Sequence, residues 1–444
     1  MKQVIRIKKG IDIKIGGAAD FFIEQNDASE NPEMFGICPD DFVGVKPKII
    51  VKEGDKVHAG EALFINKQYP SVKFVSPVSG TVKEIVRGER RKVLCVKVEG
   101  FKCMDIPKNP EKLQNRREIV DYLAEKGLLG YINQMPYAVS ANNVDLPKSI
   151  FISAFRDMPL SANVEFCIAT DLKDFQTGIE TLSKIAHVYL NIKSGSKMDC
   201  EELRNHTADN VTVTCFKGKC PTGNVNVQIN HIQPINKGDI VWTVEPEVVV
   251  FIGRLINNGY VDFHKKIAIC GSEVEKPCYK EVIIGQQIGN ILNGKIKQPQ
   301  NHATAQSRII NGNILTGKKS SLEDFIGAHS YELTIIPEGN DNAEMLGWIM
   351  PMCLRNRKPV DARIKGGKRH MIMSGEYDKV LPMDIYGEYL IKAIITGDID
   401  KMEQLGIYEI APEDFALAEY VDSSKLELQR IVREGLDMLR KENA

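Results

Sequence analysis

Between residues 48 and 82 the chain is cut by Gly54, Gly60, Pro70, Pro77 and Gly80 into runs of fewer than ten residues, short for a helix. The pieces between them include Lys48-Ile49-Ile50-Val51, Ala62-Leu63-Phe64 and Val72-Lys73-Phe74-Val75. They read as short strands set between turn formers. Strands of that length joined by tight turns build a small β-sandwich. The preceding residues have the same character: Val4-Ile5-Arg6-Ile7 alternates, and Gly10 and Gly16-Gly17 punctuate.

The pattern then changes three times. Leu113, Arg117, Val120, Leu123 and Ala124 follow helical spacing over 111–127, with Gly127 as the stop. Strand-like runs at 149–154, 188–192, 211–216 and 248–252 surround a helical stretch at 171–186. Alternation of that kind predicts an α/β layer on a mostly parallel sheet. Residues 265–340 turn β-rich again: strands at 266–270, 307–310 and 331–336, a hairpin bracketed by Pro277 and Gly285, and a short helix at 286–292. A sheet wrapped on one short helix is the β-grasp arrangement. Helices at 382–396, 398–405, 412–419 and 426–442 complete the chain. With 444 residues there is room for about three domains or more. The expected class is α/β multidomain. A β-rich region spans 1–105, with its sandwich at about 40–100, and a Rossmann-like α/β domain spans 106–262. A β-grasp domain at 263–340 and a largely helical region at 341–444 follow.

Composition narrows the function. Lys+Arg is 58 against Asp+Glu 59, so the net charge of −1 gives no electrostatic reason to expect a nucleic-acid partner. No apolar window of ~18 residues exists to form a spanning helix. The start of the chain carries charges where a secretory signal needs an apolar core. The ten cysteines are scattered without a C-x-x-C pair, which suits reduced thiols and offers no iron–sulfur cage. None of the eight histidines has a partner at helical zinc-site spacing. No G-x-G-x-x-G and no G-x-S-x-G occurs. The run from Gly312 to Lys318 copies a phosphate loop up to its last position. Lys319 then stands where the Mg²⁺-binding hydroxyl belongs, so a β-turn with solvated lysines is expected. The basic clusters at 87–92 and 363–369 offer a surface for anionic lipid or an acidic partner, with solvated loops the commoner explanation, and the Asp40-Asp41 and Glu201-Glu202 pairs read as solvated faces.

Two resemblances follow. The order Glu53-Gly54-Asp55, Val57, Gly60, Leu63, then Ser76-Pro77-Val78-Ser79-Gly80 resembles the biotinyl/lipoyl carrier domain. The carrier lysine belongs about eight residues before that proline. Tyr69 stands there, with Lys67 two residues further off, so a scaffold without its prosthetic group is expected. Over nearly the whole chain, ordered blocks are similar to the A subunit of bacterial Na⁺-translocating NADH:quinone reductases. They are Ile7-Lys8-Lys9-Gly10-Ile11-Asp12-Ile13, Phe42-Val43-Gly44-Val45-Lys46-Pro47, Val72-Lys73-Phe74-Val75-Ser76-Pro77 and Pro221-Thr222-Gly223-Asn224. Arg308-Ile309-Ile310-Asn311-Gly312, Leu315-Thr316-Gly317, Leu346-Gly347-Trp348 and Tyr377-Asp378-Lys379-Val380-Leu381-Pro382-Met383-Asp384 continue the set.

That resemblance implies a peripheral subunit on the cytoplasmic face of the bacterial inner membrane. It would sit in a six-subunit complex with subunits B to F, chiefly against a membrane subunit. The complex oxidises NADH, reduces quinone and pumps Na⁺. NADH, flavins and iron–sulfur centres are implied in partner subunits, with none tightly bound here. The architecture is also similar to the flavoprotein subunit of respiratory complex I and to the electron-transport C subunit of the ferredoxin-linked relative. Gly127-Leu128-Leu129-Gly130-Tyr131 falls near the flavin-loop position of those relatives but lacks its glycine density. Departures from the family pattern fall at Asn133-Gln134, Cys220, Ala418 and Asp422. A quinone ring needs an aromatic-edged slot and a donor or two. The loops holding Phe42 with Gly44, and Tyr131 with Pro136 and Tyr137, mix aromatic, Gly and Pro residues and are the candidates. No catalytic residue and no metal ligand is assigned. The alternatives are an independent soluble flavin- or nucleotide-dependent oxidoreductase, and a carrier-type module modified at Lys67.

Overall fold

The computed structural model describes residues 4–24, 32–101, 113, 115–196, 210–297, 306–339, 361–364 and 367–443. Cys103, Cys200, Cys353, His206, His302, Glu201-Glu202 and the Leu346-Gly347-Trp348 block lie outside the described residues. The architecture is mixed α/β, with four sheets and a helical C-terminal region.

Residues 33–101 form two facing sheets. One orders Glu33–Ile37, Val93–Phe101, Ser79–Arg87 and Lys56–Val57; the other orders Pro47–Ile49, Ala62–Asn66 and Lys73–Val75. Their inner faces alternate Phe35, Val57, Leu63, Phe64, Phe74, Val82, Val96 and Val98 into one core. Gly54 and Gly60 hold φ of +90° and +83° at the turns, a conformation glycine adopts without strain.

The largest sheet has seven strands. Val4–Arg6, Val211–Lys217, His187–Lys193, Ser149–Ser153 and Val241–Thr243 run parallel, and Asn133–Met135 and Val139–Ser140 add an antiparallel edge. The first strand of the chain therefore pairs here, far from the sandwich that follows it in sequence. Helices Leu172–Ser183 and Pro246–Asn258 pack on one another against this sheet.

Three expectations are corrected. Pro277 and Gly285 bracket one strand, Cys278–Ile283, whose hairpin partner is His264–Cys270. Asp41 is half-buried and accepts from the Ala328 amide, where a solvated face was expected. The run Val248-Val249-Val250-Phe251-Ile252, expected as a strand, lies inside helix Pro246–Asn258. A short apolar run has no period that separates a buried strand from a helix buried all round. Its ends carry the signal: Pro246 at the first turn and Gly259 in the left-handed conformation.

The third sheet orders Lys318–Ser320, Ser307–Asn311, Glu332–Pro337, His264–Cys270, Cys278–Ile283 and Ile23–Glu24. The short helix Ile288–Ile291 buries both isoleucines among Ile267, Ile269, Val282, Ile309, Leu333 and Ile335. The phosphate-loop lookalike is the turn between Ser307–Asn311 and Lys318–Ser320, with Lys318 and Lys319 exposed. In the C-terminal region Leu428–Glu442 buries Leu428, Ile431, Val432, Gly435, Leu436 and Leu439, one stripe at helical spacing. Gly387–Thr396 packs against it. Among the described residues no helix is long and apolar enough to cross a membrane.

Candidate functional site

Parallel sheets open a crevice beyond the carboxyl ends of their strands. Here strand Ser149–Ser153 delivers Arg156 and Asp157, and its neighbour Val241–Thr243 delivers Glu245 and Glu247. Strand Glu332–Pro337 and the loop before it supply His329, Tyr331 and Glu332, and the C-terminal region supplies Glu413. All of these but Glu247, which sits behind Arg156, line a cleft of about 450 Å³ continuous with a deeper recess of about 140 Å³.

Arg156 organises the floor. Its guanidinium donates to both Glu247 oxygens at 2.9 and 2.7 Å and to Glu245 at 2.8 Å. It lies 3.9 Å from the centre of the Tyr331 ring. Burial works against the Arg156 charge, and the Glu247 and Glu245 carboxylates outweigh it. Lys265 faces the same ring at 4.8 Å and donates to the Gly327 and Ala328 carbonyls, both at 3.1 Å. Burial pulls its ammonium down to about 7, with Glu247 and Asp41 opposing. Burial pushes the Glu332 carboxyl up, and its Oε2 accepts from the Ala162 amide at 3.2 Å. Burial likewise pushes Asp157 up to about 6, although its Oδ2 accepts from the Gly223 amide at 2.8 Å. Asp414 is raised to about 6 by burial, while Asn224, Asn226 and the Ala411 amide donate to it.

Five polar atoms on this lining have no hydrogen-bond partner: Asp157 Oδ1, Asn226 Oδ1, His329 Nδ1, Tyr331 Oη and Arg433 Nε. Tyr331 and Asn226 are buried. A buried donor or acceptor left unpaired costs about 1–3 kcal/mol, so such groups mark a place where a ligand or water completes the bonding. Two hollows of comparable size lie elsewhere, by Asp55 and Lys73 (520 Å³) and by Lys237 and Glu403 (460 Å³). Neither has such an atom among its lining residues.

The lining is acid-rich. The N-terminal end of helix Pro246–Asn258, a natural anion site, carries the chain's own Glu245 at its cap and Glu247 in its first turn. A phosphate would meet carboxylates there. A neutral ligand with carbonyl or hydroxyl groups finds a donor in Tyr331 and acceptors beside it.

The residues chosen from sequence come together beside this cleft. Phe42 and Tyr131 are buried against each other with ring centres 5.1 Å apart, and His329 lies 6.2 and 6.1 Å from them. Both rings turn inward, onto Phe64, Phe74 and Phe263. Their chain neighbours Asp41, Val43, Asn133, Met135 and Ala138 line the cleft itself. Gly44 holds φ of +80°, and a Cβ there would lie 2.3 Å from the Arg440 guanidinium. Pro136 is buried after a cis peptide bond, and Tyr137 is half-buried. Arg433 fixes that turn by donating to the Tyr137 and Ala138 carbonyls at 2.7 and 2.9 Å. The Ser140 amide donates to the Val43 carbonyl at 2.9 Å, joining the two loops.

Arg156, Glu245, Glu247, Lys265, His329, Tyr331 and Glu332 were not singled out from sequence. One signal existed: Arg156-Asp157 follows an expected strand directly, at the carboxyl end where ligands bind. Reading 248–252 as a strand hid the same signal at Glu245. Among the described residues no group of three or more His, Cys, Asp or Glu could hold a metal ion.

Comparison with known proteins gives ordered matches along the chain. The NqrA N-terminal barrel-sandwich hybrid domain matches residues 5–100. The NqrA second alpha/beta domain matches 114–261, and the NQRA C-terminal domain matches 266–321. The chain is 30% identical to the A subunit of the Na(+)-translocating NADH-quinone reductase of Photorhabdus laumondii, over 99% of this chain and 100% of that protein. It is 29% identical to the protein of the same name from Yersinia pseudotuberculosis, with the same coverage of each. The Marinomonas protein of that name is 30% identical over 98% of this chain and 99% of its own length.

Proposed function

The chain belongs to the NqrA family, the A subunits of Na(+)-translocating NADH-quinone reductases, and from that premise we propose that it serves as the peripheral subunit of such a complex. In this reading it holds no redox centre of its own. It docks on the cytoplasmic face of the inner membrane against a membrane subunit, within a six-subunit assembly with subunits B to F. NADH, flavins and iron–sulfur centres belong to those partners. The division into a carrier-like sandwich, a Rossmann-like domain at 106–262, a β-grasp domain at 263–340 and a helical region is part of the same proposal. The observation that carries it is similarity over the full length of both chains.

Quinone association is assigned to the acid-rich cleft. The loops of Phe42 and Gly44 and of Tyr131, Pro136 and Tyr137 form its apolar side through Val43, Met135 and Ala138. Tyr331 Oη supplies a free donor for a ring carbonyl. Neutral carbonyl chemistry suits this lining better than a nucleotide phosphate does.

Mild detergent extraction of native membranes, with this chain as the affinity handle, tests the assembly. Recovery of a flavin-containing complex whose NADH:quinone activity rises with Na⁺ is the expected result. Recovery of the chain alone, under conditions that keep a control membrane complex intact, overturns it. Tyr331→Phe in the recovered complex tests the site. It should raise the KM for quinone several-fold and leave NADH oxidation by an artificial acceptor unchanged. An unchanged KM removes Tyr331 from the site.

A further inference from the structure

Strand Glu33–Ile37 runs antiparallel to Val93–Phe101, with Ile37 opposite Val96. Cys38 continues the extended backbone one residue further, at φ −98° and ψ 116°, which sets it across from Cys95. Continued by one residue, the register of Ile37 with Val96 makes Cys38 and Cys95 a directly opposed pair. Both are free; Cys95 is buried and Cys38 is half-buried, so one member of the pair is reachable from solvent. Residues directly opposed in antiparallel strands have Cα atoms about 4.5–5.5 Å apart. That lies inside the roughly 4.4–6.8 Å window a disulfide requires. Other described thiols are engaged differently: Cys220 lies 3.6 Å from the Met158 sulfur, Cys270 3.6 Å from the Leu333 carbonyl and Cys278 3.7 Å from Glu24.

We propose that Cys38 and Cys95 form a redox modification site that closes to a cross-strand disulfide when a small-molecule disulfide such as oxidised glutathione is the oxidant. The Cys38 thiolate attacks one sulfur of that oxidant and forms a mixed disulfide, releasing one glutathione thiol. The Cys95 thiolate then attacks the Cys38 sulfur and releases the second. Two electrons pass from the cysteine pair to the oxidant, and the two cysteine protons end on the released thiols. The neighbouring Cys95, burial and the Asp41 carboxylate push the Cys38 thiol up, with Lys318 opposing. The exchange is therefore slow, on the scale of hours. The bond would pin the start of the Pro39–Asp41 turn to the sandwich. That turn carries Asp41, whose Oδ2 accepts from the Ala328 amide at 3.1 Å beside the cleft.

The test uses the full-length protein. Reductant is removed, oxidised glutathione is added, and free thiols are alkylated before intact-mass analysis and peptide mapping. The expected result is a loss of two hydrogens, no retained glutathione, and a crosslinked peptide joining Cys38 to Cys95. Cys95→Ser should trap glutathione on Cys38, and Cys38→Ser should leave Cys95 free. Persistent glutathione on wild-type Cys38, recovery of both thiols free, or Cys38 crosslinked to another cysteine would overturn the proposal. The wild-type map decides the question even if a variant folds poorly.

Discussion

At the scale of single residues, the cleft is set by charges that lie far apart in sequence. Arg156 reaches Glu245 and Glu247 only because their strands are parallel neighbours. His329 shows what such surroundings do to a titration. Burial, then Lys265 and Lys318, push its imidazole down to about 4, against roughly 6.5 when unfolded. The native ring is therefore neutral at pH 7. Between about 6.5 and 4 the unfolded chain takes up the proton more readily than the native one. Stability from this group is present above 6.5 and is lost as pH falls through that window. The expected loss at His329 is about 1–3 kcal/mol. His329→Asn should lose less stability than wild type between pH 7 and pH 4.5, read as urea midpoints. An identical pH dependence in the two proteins would contradict this. Sequence could not supply the result, since a lone histidine between Ala328 and Ser330 carries no sign of the lysines it will face.

At the scale of elements, the pairing of helices Leu172–Ser183 and Pro246–Asn258 depends on two glycines. A Cβ at Gly178 would lie 2.1 Å from the Val249 carbonyl oxygen, and one at Gly253 would lie 1.8 Å from that of Asp174. Helix propensity alone says that Gly→Ala should stabilise each helix by about 1 kcal/mol. Close packing says the reverse, since neither backbone can yield without moving a helix. Gly178→Ala and Gly253→Ala should each destabilise by about 1–3 kcal/mol in urea unfolding. A stabilising outcome at either site would mean the helices lie further apart. Most elements here were legible from spacing. Leu172–Ser183, His187–Lys193 and Ser307–Asn311 fall within a few residues of their expected positions. Leu113 to Gly127 gave the helix Arg116–Glu125, because apolar period and glycine stop agreed. The failure at 248–252 came where every face is buried and the period vanishes.

At the scale of the whole molecule, the first residues act as a tie between separate layers. Val4–Arg6 extends the seven-stranded sheet, and Ile7 is buried among Phe216, Tyr377 and Val380. The Gly10 amide donates to the Lys379 carbonyl and the Ile11 amide to that of Cys220, at 3.0 and 2.9 Å. The Gly271 amide donates to the Gly17 carbonyl at 2.8 Å, and Ile23–Glu24 closes the edge of the third sheet. Removing residues 1–12 should therefore lower the thermal midpoint and loosen the C-terminal helices, read by amide exchange at residues 377–443. Protection there equal to the full chain would refute the tie. Sequence by itself determined the succession of β, α/β, β and helical regions, because periodicity and turn residues act locally. It also fixed the family, through ordered blocks spread along the chain. Which loops meet at the cleft, which way Phe42 and Tyr131 turn, and that residues 4–6 join a sheet built mostly after residue 130 were decided only by tertiary structure. Burial and strand pairing between distant segments set those outcomes, and no local pattern encodes which partner a strand edge or an aromatic face will meet.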